Sequence, residues 1–363
     1  MKSYKHIAII HDVFTEDGGA ERVLRAIIKM YPFADVYIPV LSSSARSMLE
    51  AHTSGTVYSA WFNSLILPNP SSVLWKLLFY WYFEQLDLSQ YDLVVSSSHM
   101  FSSKSIITSP KTTHISYIHT PPRYLYAEYN EAQVLKRPIL RLLLSLLLSW
   151  LRILDYIGAQ RPDVIIANSN IVQSRIKKYY KRESVIIYPP IGEFKPLPKK
   201  QGRYFLCVSR LARQKGIDLA IHACNQLKMP LVIVGIGAEE TYLRSIAGPT
   251  VKFMGYVADS DMSKVYQYAK ALIYPAKEED FGLVPVEAMT HSVPVLGHAS
   301  GGVLETVKHG VDGILFSEWS KESIVSAIKQ FDKEKKKFMF TRTQFSVFTE
   351  RNFRKNFEAI IGS

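Results

Sequence analysis

Two carboxylates, Glu279 and Glu287, flank a Phe281-Gly282-Leu283 turn in the run Tyr274-Pro-Ala-Lys-Glu-Glu-Asp-Phe-Gly-Leu-Val-Pro-Val-Glu287-Ala-Met. They stand around that turn at the mouth of a predicted helix, and ionised carboxylates accept hydrogen bonds from hydroxyl groups. Pro285 reads as a first-turn helix proline, where the missing amide costs nothing. The amides of Phe281 to Val284 would then point out of the helix end toward an anionic or oxygen-rich ligand. An acid in a first helical turn also complements the helix dipole; that accounts for Glu287 but not for the whole run. Upstream, Val208-Ser-Arg210-Leu-Ala-Arg-Gln-Lys215-Gly216 puts two cations on one loop after an apolar strand. Two fixed cations suit a diphosphate, which gains charge as the bond to its sugar breaks, although exposed basic loops are common. Gly18-Gly19 opens a loop where a backbone can approach a phosphate, and most such pairs are only turns. His119 stands at a strand end in Ser116-Tyr-Ile-His119-Thr-Pro-Pro-Arg123-Tyr124, a placement that favours a site over a structural role.

Together these segments resemble glycosyltransferase family 4, retaining nucleotide-sugar transferases of GT-B fold. The resemblance runs over nearly the whole chain, from Gly18-Gly19-Ala-Glu-Arg to the Glu-x7-Glu element of Glu279 and Glu287. It implies that Arg210, Lys215 and Gly19 hold the donor diphosphate. Glu279, Phe281, Gly282, Leu283 and His119 would meet the transferred sugar, with Glu279 and His119 at the reacting centre. Glu287 would bind the ribose hydroxyls, and Met254, Gly255 and Val257 would wall the base. Gly18, Arg123 and Tyr124 would lie on the acceptor side. Asn168-Ser169 also matches a family element and reads as a helix cap. The mechanism implied is same-face displacement, with the leaving diphosphate helping to take the acceptor proton. No metal is expected, because Arg210 and Lys215 supply the cations, and no cofactor beyond the nucleotide-sugar co-substrate. Motifs such as Tyr-Ile-His-Thr-Pro-Pro-Arg-Tyr are most similar to bacterial mannosyltransferases of surface polysaccharides, making GDP-mannose the preferred donor and a UDP-hexose the runner-up. A nucleotide-sugar 2-epimerase of the same fold and a non-catalytic basic binding protein are the other readings.

The elements that must position these residues alternate. Apolar strands are expected at Ile7 to Ile10, Asp35 to Ile38, Leu93 to Val95, His114 to Ile118, Val164 to Ile166, Tyr204 to Val208, Leu231 to Val234 and Ala271 to Tyr274, with helical patterns between them. That order predicts an α/β protein of two Rossmann-like domains, parallel sheets covered on both faces, facing a central cleft. The expected division is 1–187, a proline-rich linker 188–202, 203–343, and a C-terminal helix 344–363 packing back on the first domain. Two near-motifs are set aside. Gly235-Ile-Gly237 begins like a dinucleotide fingerprint, but Glu240 occupies the third glycine's place. Asp259-Ser-Asp261 reads as a helix N-cap, and no His/Glu zinc pattern is visible.

The bulk properties fit. The 363 residues, 47% hydrophobic and 21% charged, allow two ordinary cores. The two cysteines, Cys207 and Cys224, lie in apolar runs and read as buried thiols of a reducing compartment. The first strand follows the N-terminus too closely for a signal peptide. A net charge of +12 invites nucleic acid or an anionic membrane. Without a nucleic-acid motif the membrane is preferred, giving a cytoplasmic protein peripheral on the inner face and a lipid-linked glycan acceptor. The segment 137–155 supports this. On a helix, Arg137, Arg141, Ser145, Ser149, Arg152 and Asp155 share one stripe and the remainder is apolar, which fits an interfacial helix or a core helix with a thin wet stripe.

Overall fold

Short runs of β-branched and aromatic residues, separated by helices, build two separate parallel sheets. A computed structural model describes residues 4–16, 18–66, 75–99, 102–126, 138–192, 197–334, 338, 340 and 342–362, with only the backbone at 138–144 and 342–344. In the first sheet the strands are β1 Ile7–His11, β2 Asp35–Tyr37, β3 Val57–Tyr58, β4 Leu93–Ser98, β5 Thr113–Ile118, β6 Val164–Ala167 and β7 Val185–Ile186. They lie in the order β3-β2-β1-β4-β5-β6-β7 and every pair is parallel. In the second sheet they are β8 Tyr204–Val208, β9 Leu231–Val234, β10 Val251–Gly255, β11 Ala269–Tyr274, β12 Val295–His298 and β13 Gly313–Phe316. Their order is β10-β9-β8-β11-β12-β13, again all parallel. In both sheets the order reverses beside the first strand, at β1/β4 and at β8/β11. Loops leaving the carboxyl ends of strands at such a point are where open α/β sheets bind ligands.

The chain divides into a unit of residues 1–190 with 351–363 and a unit of residues 191–350. In the first, Ile9, Val36, Val95 and Tyr117 of the sheet pack against Val23, Leu24 and Ile27 of the helix Gly19–Met30. The last helix, Glu350–Ile361, adds Phe353 and Phe357 to this core, both essentially inaccessible. In the second unit Phe205, Cys207, Ile233 and Ile273 meet Ile217, Ile221, Ile324 and Ile328. Cys207 and Cys224 are free, buried thiols.

The leucine-rich helix, Pro138–Gln160, differs from its sequence reading. Arg137 lies outside the described residues, as does the side chain of Arg141. Asp155, expected on the wet stripe, is buried and pairs with Lys104 at 2.5 Å while accepting from the Tyr126 hydroxyl at 2.8 Å. A buried lysine and a buried carboxylate need each other, and that pairing turns the Asp155 end of the stripe inward while Ser149 stays exposed. Arg152 is half-buried and donates to the Leu125 carbonyl at 2.7 Å. Leu146, Trp150, Ile153 and Ile157, spaced four, three and four residues apart, form an exposed apolar row. Among the described residues no helix is long and apolar enough to cross a membrane.

Candidate active site

The second unit builds its site from three loops at strand ends. After β8 the chain turns outward with Arg210 exposed, held by the Leu211 amide donating to the Ile236 carbonyl at 2.9 Å. The Gly235-x-Gly237 pair has a packing role here. A Cβ on Gly235 would come within 1.9 Å of the Ser209 carbonyl oxygen, and one on Gly237 within 2.4 Å of the Leu211 oxygen. These glycines let one loop lie against the other and so fix the Arg210 backbone. Lys215 ends a 3-10 turn, Arg213–Lys215, and Gly216 follows in the left-handed region at φ 63°. The Lys215 ammonium pairs with Glu279 at 2.6 Å, each side chain about one-fifth exposed (16% and 22%).

Glu279 sits on the loop after β11, and this loop is bent. Glu278 is left-handed at φ 52° and Gly282 at φ 86°. Gly301-Gly302 clamps it from the next strand end, the Gly302 amide donating to the Glu279 carbonyl at 2.7 Å and the Glu278 amide to Ser300 Oγ at 3.0 Å. A Cβ on Gly301 would stand 2.2 Å from the Glu279 oxygen, and one on Gly302 2.4 Å from Phe281 Cα. Phe281 is buried, its ring 5.5 Å from that of Phe348. Gly282 then caps the helix Leu283–Thr290 without any capping side chain. Leu283 is half-buried, Pro285 takes the third position, and Glu287 is buried at 5% exposure. The Tyr266 hydroxyl donates to Glu287 Oε2 at 3.5 Å, and His291 stacks on Tyr266 at 4.7 Å. His291 in turn bonds Ser263 Oγ at 2.9 Å. Buried Tyr274 links the two acids: burial first, then the charge and hydrogen bond of Glu279, then the charge of Glu287, push its phenol well above the usual range. It therefore stays a hydrogen-bond donor. At the end of β10 Met254 is half exposed, Val257 half-buried, and Gly255 left-handed at φ 68° with open space at its Cβ position. Asp259 and Asp261 do not cap their helix. They lie inside its first turn behind Ala258, and Asp261 pairs with Lys264 at 2.7 Å.

The first unit gathers histidines instead. His119 follows β5, is 8% exposed, and places Nε2 3.0 Å from Ser97 Oγ. Burial first, then the neighbouring His99 and His11, lower its pKa to about 3, so it is a neutral imidazole at neutral pH. His11 ends β1 and stacks on His99 at 4.9 Å, and His99 meets His119 edge-on at 6.2 Å. Glu21 stands 3.7 Å from His11. Burial would raise its pKa, but His11 and His99 outweigh that and hold its carboxyl at about 2. Asp12 accepts the amides of His99, Ser102 and Ser103 at 2.8, 3.1 and 2.7 Å, which fixes the loop after β4. Gly18 and Gly19 are exposed at the start of their helix. Arg123 and Tyr124 lie on the short helix Arg123–Tyr126, and the buried Lys76 ammonium is 5.9 Å over the Tyr124 ring. Ser169 caps its helix by accepting the Val172 amide at 3.3 Å.

Thus Arg210, Lys215, Met254, Gly255, Val257, Glu279, Phe281, Gly282, Leu283 and Glu287 lie in the second unit. Gly18, Gly19, His119, Arg123 and Tyr124 lie in the first. Residues 17–193 match the family described as Glycosyltransferase Family 4, and residues 190–342 match Glycosyl transferases group 1. The chain belongs to glycosyltransferase family 4.

The two family matches meet at 190–193, where the chain passes from one compact unit to the other. Among relatives, human Alpha-1,3/1,6-mannosyltransferase ALG2 is 28% identical over 210 residues, 47% of this chain and 50% of that one. A GDP-mannose-dependent alpha-mannosyltransferase of Corynebacterium glutamicum is 31% identical over 108 residues, 30% of this chain and 26% of its own. The chain thus aligns with about a quarter to a half of the length of these relatives. Among solved structures, Anabaena HepE in complex with UDP and glucose has a TM-score of 0.73 at 20% identity, covering 99% of this chain and 100% of that one. The lipopolysaccharide outer core galactosyltransferase WaaB, in its apo form, has a TM-score of 0.64 at 14% identity over 98% of this chain and 99% of that one. The family 4 chain has the GT-B fold, with two Rossmann-like domains. Sequence reading missed the Gly301-Gly302 clamp, Tyr274, Tyr266 and His291. It also missed the His11, Glu21 and His99 cluster, where no zinc pattern was visible. The available signal was positional, since His11, His99 and His119 each end or directly follow a strand.

Proposed function

We propose that this protein is a retaining hexosyltransferase that moves a sugar, preferentially mannose from GDP-mannose, onto a lipid-linked glycan acceptor. The observation that carries the reading is the second unit's set: Lys215 paired with Glu279 at 2.6 Å beside an uncapped helix start, with buried Glu287 eight residues further on. Arg210 and Lys215 hold the diphosphate and stabilise the charge it gains. An ammonium has three donors, so Lys215 keeps Glu279 oriented while it contacts phosphate. Glu279 accepts from the sugar hydroxyls and Glu287 from the ribose. Gly19 is assigned to the diphosphate, and His119 to the sugar as a neutral hydrogen-bonding group. The leaving phosphate takes the acceptor proton on the same face.

Mannose is favoured by two relatives, the GDP-mannose-dependent alpha-mannosyltransferase of Corynebacterium glutamicum and human Alpha-1,3/1,6-mannosyltransferase ALG2. A UDP-hexose donor is the second reading, favoured by HepE, which covers 99% of this chain and carries UDP and glucose. The lipid-linked acceptor is supported by the exposed apolar row Leu146, Trp150, Ile153 and Ile157, which fits a membrane interface, together with a net charge of +12. The test is the melting temperature of the purified protein with GDP, UDP, ADP and their sugar conjugates. A ligand at about 100 times its Kd stabilises by roughly 2.7 kcal/mol. A shift with GDP and GDP-mannose is expected. A shift with uridine nucleotides alone moves the donor to the second reading, and no shift with any nucleotide overturns the transferase.

A further inference from the structure

His11, Glu21 and His99 come from three separate elements: the end of β1, the first turn of the helix Gly19–Met30, and the residue after β4. Each offers one ligand atom, and these atoms all lie within 4.8 Å of one another. His11 is fully buried, and neither of its ring nitrogens has a hydrogen-bond partner, nor has Nδ1 of His99. We propose that these three side chains bind one divalent cation of the Zn²⁺ class.

Two imidazoles and one carboxylate suit Zn²⁺, Co²⁺ or Ni²⁺, whereas Mg²⁺ and Ca²⁺ ask for oxygen throughout. Tetrahedral bonds of about 2.0–2.2 Å set ligand atoms roughly 3.4 Å apart. The His11–Glu21 separation of 3.7 Å is already close to that. The adjustment falls to His99, whose side chain at 21% exposure is the most exposed of the three. Asp12, fixed by the backbone amides it accepts, stands 3.9 Å from His99 Nδ1 and adds a negative charge beside the site. Three protein ligands leave a coordination position open, next to His119, whose ring is 6.2 Å from that of His99. The site lies wholly in the first unit and does not depend on the donor chemistry proposed for the second.

The test uses the full chain, depleted with a chelator, dialysed, and titrated with Co²⁺ while visible absorption is followed. The expected result is a single Co²⁺ per chain with ligand-field bands of four- or five-coordination, displaced by Zn²⁺. His11→Asn, His99→Gln and Glu21→Gln should each weaken binding by roughly tenfold or more, and His52→Ala, at an exposed histidine elsewhere, should not. His99→Gln carries the least folding risk because the side chain is the most exposed of the three. No Co²⁺ bands, or bands whose affinity is the same in His99→Gln and Glu21→Gln, overturn the site. Because the readout is metal binding, failure here is separate from failure of nucleotide-sugar binding.

Discussion

The two units share one strand order but furnish its carboxyl ends in opposite ways. The second unit sets fixed charges near the surface and pairs them, as Lys215 does with Glu279. The first buries imidazoles and keeps His119 neutral, with a pKa near 3. Under the proposed function the contrast follows the ligands. A diphosphate is always charged and meets the cations Arg210 and Lys215, whereas the uncharged sugar meets one carboxylate, Glu279, and one neutral imidazole, His119, which adds no second charge. Desolvation keeps that imidazole neutral, because burial disfavours the charged form of a histidine.

The largest expected effect is at the charged pair. Lys215→Ala and Glu279→Ala should each slow transfer by about 10²–10³-fold, the scale of removing one preorganised electrostatic contact. Melting temperatures should change little, since a partly exposed ion pair contributes only about 0–1 kcal/mol. Initial rates at saturating donor, with melting curves on the same samples, check both. Near-wild-type turnover in either variant removes the pair from the site, and a collapse of the fold makes it structural.

Next in size is the clamp. Gly301→Ala puts a methyl group 2.2 Å from the Glu279 carbonyl oxygen at a left-handed φ of 61°, so the acid-bearing loop has to move. A displacement of about 1 Å at a reacting group can cost 10²-fold in rate. Gly310→Ala is the control, being equally left-handed at φ 78° but with nothing within 4 Å of the added carbon. It should show only backbone strain, about 1 kcal/mol of stability. Equal kinetic losses in the two variants would mean that strain, and not the contact with Glu279, is responsible.

The same contrast explains what the sequence disclosed. Apart from the base wall at 254–257, the second unit's candidate residues are written in two contiguous segments, 208–216 and 274–289, because one strand-loop-helix passage carries each set of groups. The main strands were legible for a similar reason: Ile7–His11 and Tyr204–Val208 are buried on both faces and read as unbroken apolar runs. The two-residue strands Val57–Tyr58 and Val185–Ile186 gave no such signal. The first unit's cluster joins positions 11, 21, 99 and 119, which only the strand order brings together. The Gly301-Gly302 clamp was equally hidden, since a glycine pair does not say which backbone it will press against. Asp155 was misread because its partner, Lys104, lies 51 residues away.

A smaller effect concerns acid. His114 is fully buried in β5, with Nε2 2.9 Å from Ser96 Oγ, and burial first, then Arg161 and Arg182, lower its pKa to about 3. Its unfolded pKa is near 6.5. Between those values the unfolded chain binds the proton and the folded one does not, so stability is full above about pH 6.5 and falls as pH drops toward 3. The slope from this one group approaches about 1.4 kcal/mol per pH unit. Denaturant titrations at pH 7.5, 6 and 5 should show the loss, and His114→Gln should reduce the slope by this one group's share, leaving the part due to buried His119 and His99. An unchanged slope in that variant would assign the acid sensitivity to other groups.

The smallest effect lies on the surface, and it separates a membrane face from an ordinary one. Leu146, Trp150, Ile153 and Ile157 are 59%, 64%, 53% and 43% exposed, in register along one side of Pro138–Gln160. The second unit's exposed apolar residues, such as Ile236, Leu304 and Trp319, come from separate loops and short elements and form no such row. A tryptophan at a lipid interface contributes on the order of 1–2 kcal/mol of partitioning, so Trp150→Ser should lower affinity for anionic vesicles by about tenfold. Folding stability should move by no more than about 0.5 kcal/mol, as for other exposed positions. Co-sedimentation with vesicles, paired with denaturant melts, reads both quantities. Weaker vesicle binding with an intact fold makes this face the one that contacts the membrane. Unchanged binding would leave only the basic charge to hold the protein at a membrane, and then raising the salt concentration alone should release it.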